Sequence, residues 1–217
     1  NAPLSAAVES DIVGYTTIEM EGGKWYQIGT PFVELEGTST DVPINDIYTT
    51  GFGQGDVLCT LDSTTSSLLP LYWNVTLNGW SESANPRAPL SERTIKVGEA
   101  VYILKETLGS LTFSGKVEST EVHFGSEFGN AWNQIVMVWP ETKKINEVSW
   151  TGLAGDDQMS ILNSDTSVLK TYYWNDSLKG WSDSPNPRAP LSTDNIEIGR
   201  ALYVHKVSAG IGVLTNK

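Results

Sequence analysis

Disulfide chemistry within the chain is closed, because its 217 residues hold one cysteine, Cys59. Cys59 lies in "DVLCTLD" and reads as a small buried hydrophobe. Charge is scarce: Asp, Glu, Lys and Arg make up 18%, against ~25% in an ordinary soluble domain. Positive charge is scarcer still, with 14 Lys and Arg against 26 Asp and Glu and a net charge of −12. Such a chain repels phosphate backbones and anionic lipid, so no nucleic-acid partner is expected. No apolar run approaches the ~20 residues of a membrane span. Helical 3.6 periodicity is nearly missing. G-x-S-x-G, H-E-x-x-H, P-loop and C-x-x-C patterns are missing too, so neither cofactor nor metal is expected.

What is present is repetition. "GWSESANPRAPLS" from Gly79 returns as "GWSDSPNPRAPLS" from Gly180, 101 positions later. "YWNVTLNGW" from Tyr72 answers "YWNDSLKGW" from Tyr173, and "TIKVGEAVYILK" from Thr94 answers "NIEIGRALYVHK" from Asn195. Self-similarity at a fixed offset marks a repeated structural unit. The division expected is an arm at 1–7, unit one at 8–116 and unit two at 117–217.

Runs such as "GYTTIEM", "DVLCTL", "LPLYWNV", "AVYILK" and "SLTFSGKV" are short, β-branched or aromatic, and bounded by Gly, Asn, Asp or Pro. They read as strands. The fold expected is all-β, two tandem sandwich- or barrel-like units with a few short helical turns, for example at "PINDIYT" and "KINEVSW".

In the repeated segment, Asn-Pro starts a turn and a second proline removes another backbone donor. The segment therefore reads as a stiff loop that buckles each unit shut. Trp80 and Trp181 are expected beneath it, with Arg87 and Arg188 stacking on a ring or forking onto a carboxylate. The sharper reading makes Trp73, Trp80, Arg87, Trp174, Trp181 and Arg188 a glycan platform, because flat indoles stack on sugar rings. "NVT" at Asn74 and "NDS" at Asn175 are glycosylation sequons.

The motifs "GYTTIEM", "GKWYQIGTPF", "GDVLCTL", "YWN" with "GW", "GEAVYI" and "LTFSGKV" resemble the repeated β units of a group of uncharacterised exported bacterial surface proteins. Unit one matches throughout. Unit two departs, with "VHFG" for "GYTT", no proline at "TPF", and "GRALYV" for "GEAVYI". The resemblance implies export and a β fold, and brings no catalytic residues.

Residue chemistry adds little toward an enzyme. His205 stands where unit one has Leu104, and His123 alternates within a strand-like run. Asp56 and Asp157 recur and read as turn residues that bond backbone amides.

A start at Asn1 fits the end left by signal-peptide removal, which leads us to expect an extracellular or cell-surface protein. Unit one runs straight into the "VES" of unit two, and unit two stops where another would begin. Two links cut at a joint suggest that the joint recurs between molecules, head to tail, as a filament. The donor expected is the arm, Ala2, Pro3, Leu4 and Ala6. The receiving surface expected is the terminal strand, Ile211, Val213 and Leu214. A homopolymer is thus the first functional reading, and a monomeric glycan-binding or adhesion module the second.

Overall fold

The computed structural model describes residues 13–29, 41–62, 65, 67–96, 98–116, 121–127, 129–137 and 141–215. Within them every element is a strand. The first half contributes β1 (Val13–Met20), β2 (Lys24–Gly29), β3 (Asp41–Pro43), β4 (Tyr48–Thr50), β5 (Val57–Asp62), β6 (Ser67–Asn74), β7 (Gly79–Ser81), β8 (Thr94–Lys96), β9 (Ala100–Lys105) and β10 (Gly109–Lys116). The second half repeats the series: β11 (Val122–Ser126), β12 (Ala131–Val136), β13 (Lys143–Lys144), β14 (Ser149–Thr151), β15 (Gln158–Asn163), β16 (Val168–Asn175), β17 (Gly180–Ser182), β18 (Asn195–Ile196), β19 (Ala201–Lys206) and β20 (Gly210–Thr215).

Each half makes the same three antiparallel sheets. In the first half their orders are β1-β10-β4, β2-β9-β5-β6-β7 and β3-β8. In the second they are β11-β20-β14, β12-β19-β15-β16-β17 and β13-β18. The all-β expectation holds. "PINDIYT" and "KINEVSW" form single hydrogen-bonded turns, closed by Asp46 N–H to Pro43 O and Glu147 N–H to Lys144 O, and not helices.

Period-2 alternation sends one face of each sheet into a core. In unit one, Met20, Leu111 and Phe113 from the three-stranded sheet meet Ile28, Leu58 and Ile103 from the five-stranded sheet. In unit two, Phe124 and Leu214 meet Ile135, Met159 and Val204 in the same way. A trio of edge-to-face rings fills one end of each core. Trp80 lies 5.2 Å from Trp73 and 5.4 Å from Phe52. Trp181 lies 5.4 Å from Trp174 and 5.3 Å from Trp150.

The other face of each five-stranded sheet turns toward the other unit, and the contacts there are reciprocal. Gly29 N–H donates to Gly199 O, while Val136 N–H donates to Gly98 O. Ile28 bridges Arg200, and Ile135 bridges Glu99. Tyr102 meets its own counterpart, Tyr203, edge to face at 6.2 Å. Gly98 and Gly199 hold φ of 81° and 69°, a region where a side chain is strained, so glycine fits where the chain turns its carbonyl to the neighbour. The units are thus related by a pseudo-twofold axis. A twofold joint is isologous and closes on itself, so the head-to-tail joint expected from the repeat register is not the joint between these units.

Candidate functional site

Asparagines hold the repeated loops. Asn74 is 4% exposed. Its Nδ2 donates to Pro86 O at 3.2 Å and Ala88 O at 3.1 Å, and its Oδ1 accepts from Thr76 N and Leu77 N. Asn45 Nδ2 donates to Ser91 O at 2.8 Å, and its Oδ1 accepts from Trp80 N at 2.6 Å. Unit two copies both clamps: Asn175 reaches Pro187 O and Ala189 O, and Asn146 reaches Trp181 and Ser192. Prolines leave carbonyls with no ladder partner, and the asparagine amides supply one.

The residues that hold each loop are thus asparagines, and not the arginines expected. Trp80 and Trp181 lie below the loop as expected, 1% and 0% exposed. Arg87 and Arg188 are exposed, and among the described residues neither stacks on a ring nor forks onto a carboxylate. The glycan platform is corrected too, because Trp73 and Trp174 are also buried and none of the four indoles offers a face to a ligand. The sequon asparagines are spent inside the protein, their amide nitrogens committed to loop carbonyls, so no glycan attaches there without dismantling the buckle.

The expected assembly residues fare unevenly. Ala2, Pro3, Leu4 and Ala6 lie outside the described residues. Ile211, Val213 and Leu214 lie on β20, the central strand of its sheet, paired to β11 on one side and with β14 reaching Val213–Thr215 on the other. Leu214 is a core residue. A sheet takes a new strand at its edge, and β20 is not that edge. Among the described residues the outer edge of β1 is open.

Sequence reasoning missed a buried ion pair in each unit. Lys105 Nζ sits 2.6 Å from Asp56 Oδ2, with the two side chains 0% and 1% exposed. Asp56 also accepts from Gly53 N at 2.9 Å and Glu106 N at 2.7 Å, which agrees with the turn reading. Lys206 and Asp157 repeat the pair at 3.6 Å. The signal in the sequence was a lysine ending both "YILK" and "YVHK". Cys59 is buried, as read, and burial pushes its thiol pKa up. His205 stacks on Trp132 at 4.0 Å, and burial lowers its pKa. His123 is exposed beside Glu121. Among the described residues no group of three or more His, Cys, Asp or Glu is placed to hold a metal, and no helix is long and apolar enough to cross a membrane.

One surface stands out by its exposure. Tyr15 is 79% exposed and Tyr48 is 68% exposed. Register puts them on one face of unit one's three-stranded sheet: Tyr15 opposite Ser114, Thr17 opposite Thr112, and Tyr48 opposite Thr112 from the far side. Two strand spacings across and one two-residue step along separate the tyrosine Cα atoms by roughly 12 Å. Hydroxyls fill the space between. Thr17 pairs with Thr112 at 2.9 Å and Thr50 with Ser110 at 2.7 Å. Glu19, opposite Ser110, lies on the same face, and register places Lys116 on it too, opposite Val13 at the far end of the strand pair. The matching face of unit two carries His123, Ile211 and Val213 and has no tyrosine. Tyr15 lay in the polar phase of "GYTTIEM", but only strand pairing brings Tyr48 beside it.

A cleft of about 830 Å³ follows the seam between the units, and a second of about 360 Å³ lies at the pseudo-equivalent position. The cations lining the larger one are already paired: Lys24 with Glu21 and Asp165, Lys170 with Asp183 and Asp194, and Arg200 with Glu197. No family model, no curated protein and no solved structure matches the chain.

Proposed function

We propose that the protein is a non-catalytic, exported module that binds neutral polysaccharide through the Tyr15–Tyr48 face of unit one. The observation that carries this reading is the exposure of two tyrosines on one flat, hydroxyl-rich sheet face. An exposed aromatic ring has an apolar face and a polar tip, which suits a pyranose with its C–H face against the ring and its hydroxyls toward Ser and Thr. At a net charge of −12 the protein repels acidic polymers, which favours uncharged glycans. Affinity electrophoresis through gels containing neutral polysaccharides tests it. Retardation that is lost in the Tyr15→Ala/Tyr48→Ala double variant supports the proposal. No retardation by any of a broad set of neutral polysaccharides removes it.

Assembly by strand addition between copies is a second reading, favoured by the outer edge of β1, which pairs with no strand among the described residues. Electron microscopy of the full chain beside a form lacking residues 1–7 separates the two. Filaments only in the full chain support assembly, and dispersed particles in both eliminate it.

A further inference from the structure

We propose that Lys105 and Asp56 of unit one join as an intramolecular amide crosslink. Asp56 stands just before β5 and Lys105 ends β9, so the bond ties the 51–56 loop to the end of a central strand. Both side chains are sealed from solvent, and the amine nitrogen is 2.6 Å from Oδ2. The ammonium also donates to Gly51 O at 2.7 Å and lies 4.5 Å from the centre of the Phe52 ring.

Burial takes both groups out of water and holds them against each other. A proton passing along the short contact from Nζ to Oδ2 leaves an amine beside a carboxylic acid. The amine lone pair then forms the Nζ–Cγ bond. The Cγ–Oδ2 bond breaks, and Oδ2 departs as water with the proton already received and a second one from Nζ. The step consumes no oxidant and no co-reactant. Glu106 N–H, 2.7 Å from Oδ1, faces the oxygen on which negative charge builds in the tetrahedral intermediate, and Gly53 N–H bonds the departing Oδ2. Fixed proximity of this kind is worth effective concentrations of ~10⁵–10⁸ M.

Unit two is the built-in comparison. Lys206 Nζ stands 3.6 Å from Asp157 Oδ2. The Ser208 hydroxyl comes between them, bonded to Lys206 Nζ and donating to the Asp157 carboxylate. That hydroxyl holds the amine and the carboxyl apart, so one bond forms per chain.

Intact mass spectrometry of the purified full chain under denaturing conditions decides the matter. The mass expected is lower than that of the sequence by one water, and a digest should contain one branched peptide carrying Asp56 and Lys105. Lys105→Arg should restore the full mass, while Lys206→Arg should keep the deficit. A full sequence mass in a sample shown to be folded by circular dichroism overturns the proposal. So does a deficit that survives Lys105→Arg, and a deficit of two waters overturns the restriction to unit one.

Discussion

At the scale of single residues, the buckle depends on two amides in each unit. Truncating Asn74 to Ala strands the Pro86 and Ala88 carbonyls and the Thr76 and Leu77 amides, all now satisfied by one side chain. Each buried polar group left unpaired costs ~1–3 kcal/mol, so Asn74→Ala should lose about 3 kcal/mol in urea unfolding, and Asn175→Ala a similar amount. Histidine supplies a pH signature. Burial lowers the pKa of His205 in the folded state below its ordinary 6.5. The unfolded chain therefore binds the proton more readily, and the stability from neutral His205 is complete above pH 6.5. It drains away as pH falls through the lower folded value. Imidazole NMR should show His205 titrating below 6.5, and His205→Leu, the residue of unit one at this position, should flatten the fall in stability between neutral and mildly acid pH. The sequence alone announced neither feature in full. The Leu104–His205 correspondence marked a packing position, but the partners of Asn74 are carbonyls of a loop whose path only the fold reveals.

At the scale of elements, the strands were legible because short β-branched runs between turn residues have few other uses. The pairing was not. β14 meets β20 two residues further along than the repeat offset predicts: Thr49 pairs with Leu111, yet Trp150 pairs with Leu214 and not with Gly212. Even slips keep side chains on their proper faces, so the pattern cannot report them. The cause lies in volume. Where unit one opposes Ile18 to Leu111, unit two opposes Phe124 to Gly212, and a Cβ on Gly212 would run into the Phe124 ring. Gly212→Leu alone should therefore overpack the core and cost ~1–3 kcal/mol. Combining it with Phe124→Ile recreates the pair of unit one and should recover most of the loss. A double-mutant cycle by thermal denaturation reads that coupling, and additive losses would show that the two positions do not share a volume. The tyrosine face belongs to this scale as well. Tyr15→Ala and Tyr48→Ala touch no core, so stability should stay within ~0.5 kcal/mol, while each weakens polysaccharide binding by about tenfold, ~1.4 kcal/mol.

For the whole molecule, the reciprocal joint explains why a chain that reads as two links of a series folds as a closed pair. Repeat register reports that two units exist. The symmetry relating them is set by which sheet face is left apolar, and in "KWYQIG" both faces carry large side chains, so the joint was hidden. The pseudo-symmetry is also imperfect, and its defect can be tested. Gln27 and Gln134 occupy equivalent buried positions at the seam, 0% and 6% exposed. Gln27 Oε1 accepts from Leu162 N across the joint at 3.4 Å, leaving only its Nε2 without a partner. Gln134 has neither Oε1 nor Nε2 bonded. Replacing an unpaired buried amide by an apolar group of similar size removes its desolvation penalty, ~1–3 kcal/mol. Gln134→Leu should thus raise the unfolding midpoint. Gln27→Leu should gain less or lose stability, because it also strands the Leu162 amide. If both substitutions shift the midpoint equally, the seam treats its two glutamines alike and the hydrogen bond to Leu162 carries no weight in the joint.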